Sequence, residues 1–224
     1  VLAVHGAGAG GFEFDLWAPV FAARGYQLIA PDLKPNPAGL RFTELGDYLE
    51  QIRACADEFR PRALIGASLG GLIAATLALE LDLPAVLINA MPPKPFADGL
   101  PRKSWPEIML WADRHDLKAS RRALGKVDAV TAMWAARRWR DESGLVLNQA
   151  SAGIDLPGDQ LDALHLISEL DLDVPAKLSQ KFAQAFGMDQ MLLRGCTHVE
   201  PLLGKAAASH ARVALAWLEA RLGG

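Results

Sequence analysis

Gly66-Ala67-Ser68-Leu69-Gly70-Gly71 puts a serine between glycines, after the apolar run Ala63 to Gly66 and before a stretch rich in Ala and Leu. That is the setting of a nucleophile elbow, a sharp strand-to-helix turn that strains the serine backbone and lifts its hydroxyl clear of the sheet. Small residues are needed around it because a Cβ there would strike the adjoining strand and helix. The amide of Leu69, at the start of the following helix, points where an oxyanion would form. An ordinary tight turn is the bland alternative.

A serine alkoxide is out of reach at neutral pH, so the chemistry requires a histidine base oriented by a carboxylate. Among five histidines, His198 stands out in Gly195-Cys196-Thr197-His198, past the last apolar strand pattern and before the final helix. His5 ends the first strand and reads as structural, holding the glycine loop that follows. His165 falls inside a strand and reads as packed; His115 and His210 read as helix-surface residues. Ser168-Glu169-Leu170-Asp171-Leu172-Asp173-Val174-Pro175 follows the fifth strand pattern and offers two carboxylates. Asp171 is the expected orienting acid because it lies nearer the strand end. Asp173 is the alternative and would otherwise cap a helix beginning near Pro175.

The elements that must position these groups alternate along the chain. Apolar β-type runs are expected at Val1–His5, Tyr26–Ala30, Ala63–Gly66, Ala85–Asn89, Ala163–Ile167 and Gln190–Arg194. Helical patterns occupy Leu16–Arg24, Phe42–Glu58 and Leu69–Leu81. This order predicts an α/β fold with a mostly parallel central sheet of about six strands, flanked by helices. After the fourth strand the rhythm breaks. Residues 92–162 are expected to form a helical cap inserted into a core made of 1–91 and 163–224. Between 97 and 150 there are ten Lys or Arg against seven Asp or Glu, and four of the six tryptophans lie in the insertion. A solvated basic face is the plain reading; an acidic substrate or partner is the other.

With 224 residues, 51 % of them apolar, the chain is long enough for one large core. A net charge of −3 without a basic run argues against nucleic-acid binding. No run of about 18 apolar residues suggests a membrane span. Two distant cysteines, Cys55 and Cys196, suggest neither a disulfide framework nor a zinc site. A reducing, cytoplasmic setting is therefore expected. The chain opens inside a strand pattern, without an initiator Met or a signal core.

His5-Gly6 followed by small residues, Trp17 downstream, Pro31-Asp32-Leu33 and the Ser68 elbow together resemble the α/β-hydrolase superfamily, in particular its small serine-dependent esterase-like members. The resemblance covers residues 1–90 and 163–224. It implies that the loop after His5-Gly6 supplies a second oxyanion amide, that of Ala7, and the order Ser68, Asp171, His198 agrees with the family's. Two departures are a serine at position 168, where the family often has glycine, and the lack of two N-terminal strands. The activity implied is carboxylesterase-like: cleavage of an ester or thioester of a small molecule through an acyl-enzyme, with no cofactor and no metal. The alternatives are a C–C hydrolase or lyase on the same residues, and a ligand-binding protein of this fold with little turnover.

A rival lies in Gly6-Ala7-Gly8-Ala9-Gly10-Gly11, which matches G-x-G-x-x-G after a strand, with Asp32 21 residues beyond Gly11. Against a dinucleotide site, Phe12, Glu13, Phe14 and Asp15 are too bulky and polar for the close helix packing that motif requires.

Overall fold

The computed structural model describes residues 1–101, 103–112 and 117–223; His115 lies outside them. In chain order the elements are β1 (Leu2–Val4), α1 (Ala18–Ala22), α2 (Leu45–Phe59), β2 (Leu64–Ala67), α3 (Leu69–Leu81) and β3 (Ala85–Ile88). There follow β4 (Ile108–Met109), α4 (Leu117–Leu124), α5 (Ala129–Ala136), β5 (Glu142–Ser143) and α6 (Gly144–Ala152). The chain then returns through β6 (Ala163–Ser168), α7 (Ala176–Ala185), β7 (Asp189–Leu193), α8 (Glu200–Leu203) and α9 (Ala207–Leu222).

The central sheet has the order β1-β2-β3-β6-β7, and every neighbouring pair is parallel. Its strands are apolar on both faces because helices cover both. Leu2, Val4, Leu64, Ala85 and Leu87 pack with residues of α2, α3 and α7. The alternate positions Ala3, Ile65, Val86 and Ile88 pack with Trp17, Phe21 and the α9 residues Leu215 and Leu218. Helix α3 is buried along most of its length, which its near-continuous Ala and Leu composition allows.

Two expectations need correction. The sheet has five strands, not six: Tyr26–Ala30 contributes a single bridge, Ile29 to Leu2. Ile29 exchanges two bonds with the first strand, donating to Val1 O at 2.9 Å and accepting from Ala3 N at 2.7 Å. Pro31 follows without an N–H, so the pairing cannot propagate in that direction. The segment after β3 is also not purely helical. Ile108 and Met109 pair antiparallel with Ser143 and Glu142, a two-stranded ribbon that closes around α4 and α5.

Candidate active site

Ser68 is held between β2 and α3 at φ 52° and ψ −117°, a conformation that costs a non-glycine residue strain. The surroundings enforce it. A Cβ on Gly66 would lie 2.2 Å from Gly70 O, and one on Gly70 would lie 2.2 Å from Val4 O. The Ser68 amide donates to Ile88 O at 3.0 Å, and its carbonyl accepts from Met91 N at 2.9 Å, which stitches the turn to the end of β3.

His198 follows β7. Its Nδ1 lies 2.7 Å from Oδ2 of Asp171, whose side chain is fully buried. The other oxygen of Asp171 accepts from the amides of Asp173 and Val174 at 2.8 and 2.9 Å. Asp173 caps no helix. It pairs instead with Lys103 at 2.6 Å, and α7 starts after Pro175 without a side-chain cap. Burial alone would depress the His198 pKa. The Asp171 carboxylate, helped by Asp173 and Glu13, outweighs burial and raises it above 6.5. The Asp173 carboxyl is held below its ordinary value: burial opposes this, and His198 and Lys103 prevail.

Ser68 and His198 both line a cavity of about 490 Å³, together with Gly6, Ala7 and Glu13. Its outer wall comes from the segment after β3, including Trp105, Met109, Trp111 and Trp139. Neither the Ala7 amide nor the Leu69 amide donates to a protein acceptor among the described residues. Asp171, Asp173 and His198 are also the one group of potential metal ligands among the described residues. Two of its contacts are already committed within the protein, His198 to Asp171 and Asp173 to Lys103.

In the glycine loop after β1, the amides of Gly6, Gly8 and Gly11 are already engaged. The Gly6 amide donates to Glu13 at 2.8 Å, that of Gly8 to Glu142 at 2.9 Å and that of Gly11 to Asp32 at 2.8 Å. Three carboxylates thus occupy the donors that a pyrophosphate would need, which removes the dinucleotide reading. His5 is structural, as expected. Its Nδ1 meets Gly6 O at 2.8 Å and its Nε2 accepts from Leu33 N at 2.9 Å; burial holds its pKa down to about 4. His165 is buried in β6, with burial lowering its pKa to about 3. His210 is half-buried on α9. Burial and the nearby Glu200 raise the pKa of the buried Cys196 thiol, so it is no activated nucleophile.

Several residues that shape the site were not singled out from sequence. Arg140 grips the glycine loop, with its Nε donating to Ala9 O at 2.6 Å and its Nη2 to Leu33 O at 3.1 Å. Glu142, buried, joins Gly8 to the Tyr48 hydroxyl, which donates to it at 2.8 Å. The Asn89 side-chain amide donates to Ser168 Oγ at 2.9 Å and to His198 O at 2.6 Å, tying β3 to the histidine loop. Glu13 carries the one signal visible in the sequence, a carboxyl set between Phe12 and Phe14.

Residues 1–214 match the model of the Alpha/beta hydrolase family. The chain belongs to that family, and as such is a hydrolase. Among solved structures of similar fold is a pyrethroid hydrolase, PytH, with TM-score 0.72, 19 % identity, and 100 % of this chain and 98 % of that one covered. A monoacylglycerol lipase of Paleococcus ferrophilus gives 0.70 at 16 % identity, covering 98 % and 93 %. Polyneuridine aldehyde esterase gives 0.69 at 16 % identity, covering 98 % of each chain. No curated protein matches the sequence.

Proposed function

We propose that this hydrolase cleaves a carboxylic ester or thioester of a small, partly apolar substrate, with Ser68 as nucleophile, His198 as base and Asp171 as orienting acid. The observation that carries the reading is the buried 2.7 Å pair of His198 and Asp171 behind a cavity that Ser68 also lines. Ser68 Oγ attacks the carbonyl carbon as His198 Nε2 takes its proton. The amides of Ala7 and Leu69 donate to the oxyanion, and Asp171 holds the Nδ1–H tautomer and stabilises the imidazolium. The imidazolium then protonates the leaving alcohol or thiol. A water activated by the same imidazole releases the acid and regenerates Ser68.

Residues 92–162 act in this reading as a cap over a core of 1–91 and 163–224. Trp105, Trp111, Trp139 and Met109 give an apolar acyl site, and Lys103, paired with Asp173, fastens the cap to the loop after β6. The chemistry calls for no cofactor and no metal. The partner is a small molecule rather than a nucleic acid, and no helix among the described residues is long and apolar enough to cross a membrane. The free thiols of Cys55 and Cys196 suit a reducing, cytoplasmic setting.

Pre-steady-state hydrolysis of nitrophenyl esters and matching thioesters tests the reading. A burst equal to the enzyme concentration, lost in Ser68→Ala, is expected. Steady hydrolysis at an unchanged rate in Ser68→Ala would refute it.

A further inference from the structure

One carboxyl in the cavity has no part in the mechanism above. Glu13 lies in a short 3-10 turn, Gly11–Phe14, and is 3 % exposed. Its Oε2 accepts from the Gly6 amide at 2.8 Å, and no cation pairs with it among the described residues. It faces the same cavity as Ser68 and His198. A Cβ built on Gly6 would stand 3.5 Å from Glu13 Oε2 and 3.5 Å from Ser68 Cβ. The carboxyl oxygen and the serine Cβ are therefore separated by no more than twice that distance.

A buried carboxylate without a cation is costly, and one beside a forming oxyanion opposes the reaction. A neutral carboxylic acid has neither fault. Its carbonyl oxygen keeps the Gly6 bond, and its O–H is left to donate into the cavity. We propose that Glu13 works as a neutral acid that donates a hydrogen bond to the substrate's reacting carbonyl oxygen, beside the Ala7 and Leu69 amides. This rests on the Ser68 reading and extends it by a side-chain donor.

The electrostatic surroundings are consistent. Burial raises the Glu13 pKa to about 7, against the opposing Gly6 bond and the influence of His198. Across the cavity stand His198, with Asp171 and Asp173 behind it, and Lys103 and Arg122 from the cap. From α8, Glu200 is bonded to the Thr197 amide at 3.0 Å. On its own side are the exposed Asp15 and the His5 ring, held neutral by burial. Asp171 and Asp173 are engaged with His198 and Lys103, so burial is what favours a proton on Glu13. Because Glu13 and His198 interact, they titrate as a pair, and the working state holds its single mobile proton on Glu13 while His198 is free to act as base.

The test uses the full-length protein. Wild type and Glu13→Gln are first labelled with a fluorophosphonate, and kcat/KM for an activated ester is then followed against pH. Glutamine reproduces the neutral acid: its carbonyl accepts from Gly6 and its amide donates into the cavity. The expected wild-type profile is a bell whose alkaline limb, above about 7, falls roughly tenfold per pH unit. Glu13→Gln should lose the alkaline limb, because glutamine donates at every pH, and leave the acid limb in place, because the working Glu13 is already neutral. Glu13→Ala should lose about 10²-fold in kcat with little change in KM. A Glu13→Gln profile that keeps the wild-type alkaline limb, or a Glu13→Ala rate equal to wild type, overturns the proposal. Infrared spectra of wild type need no variant to fold. A protonated-carboxyl band should persist at a pH where ordinary carboxylates, with pKa about 4.3, are ionised, and should vanish through about 7. Its absence also overturns the proposal. Failure of wild type to take the label would instead sink the Ser68 reading itself.

Discussion

Replacing Asp171 by Asn should disable the base while leaving the fold intact, and the reason lies in how the carboxylate is held. Oδ1 accepts from the amides of Asp173 and Val174 at 2.8 and 2.9 Å, so in Asn that position must remain the oxygen. The NH₂ group then takes the place of Oδ2 and meets His198 Nδ1 at the present 2.7 Å. Two donors cannot share that contact. His198 must give up its Nδ1 proton and carry it on Nε2, the nitrogen that should accept from Ser68. Flipping the amide would aim NH₂ at two backbone N–H groups and forfeit two hydrogen bonds, each worth about 1 kcal/mol or more when buried. The wrong tautomer is therefore locked in. The corresponding exchange in the serine-protease template costs about 10⁴ in kcat, or about 5 kcal/mol at roughly 1.4 kcal/mol per decade. The assay is kcat and KM on an activated ester, with thermal unfolding run in parallel. Asp173→Asn is the internal control: it removes an ion pair with Lys103 whose side chains are 39 % and 47 % exposed, so a change of only a few fold is expected. Asp171→Asn activity within tenfold of wild type, or an inactive Asp173→Asn, would refute the reasoning.

Four more outcomes follow from other contacts. In the proposed mechanism neutral His198 is the base, and its pKa is raised, so the acid limb of kcat/KM should lie above 6.5; a limb at or below 6.5 would contradict the ion-pair geometry. The same shift stabilises the fold below 6.5 and is lost as pH rises through the folded-state value, which urea unfolding at a series of pH values reads out. Arg140→Ala removes the side-chain bonds to Ala9 O and Leu33 O, and kcat should fall about tenfold or more through a displaced Ala7 amide; steady-state kinetics with unchanged kcat would show that the loop holds itself. Gly70→Ala would drive a Cβ to 2.2 Å from Val4 O and 2.4 Å from His5 O, costing about 3 kcal/mol or more in urea denaturation. A cost below about 1 kcal/mol would mean that β1 and α3 can separate.

What could be read in advance was what is written locally. The elbow needs a strand, small residues and a helix within a dozen positions, and all are consecutive around Ser68. His198 and Asp171 each follow an apolar run, and parallel pairing of β6 with β7 brings their loops together, which is why the sequence pointed to them as a pair. Tyr26–Ala30 looked like a strand by composition, but its extent was decided by Pro31 and by one partner, Leu2. The ribbon of β4 and β5 joins residues more than thirty positions apart, with only two residues in each strand. No periodicity marks so short an element. Arg140, Glu142 and Tyr48 act on the glycine loop from distant parts of the chain, and nothing in their own neighbourhoods distinguishes them from surface residues. Glu13 looked like an obstacle to a dinucleotide helix; only its burial beside Gly6 shows that the carboxyl belongs to the cavity.

The central claim is that Ser68 is an activated nucleophile. Treating wild type and Ser68→Ala with a serine-directed fluorophosphonate and reading intact mass tests it most directly. A single adduct in wild type, mapped to Ser68 and absent from the folded variant, is the predicted result. No adduct on folded wild type, or an adduct that survives in Ser68→Ala, would contradict the account.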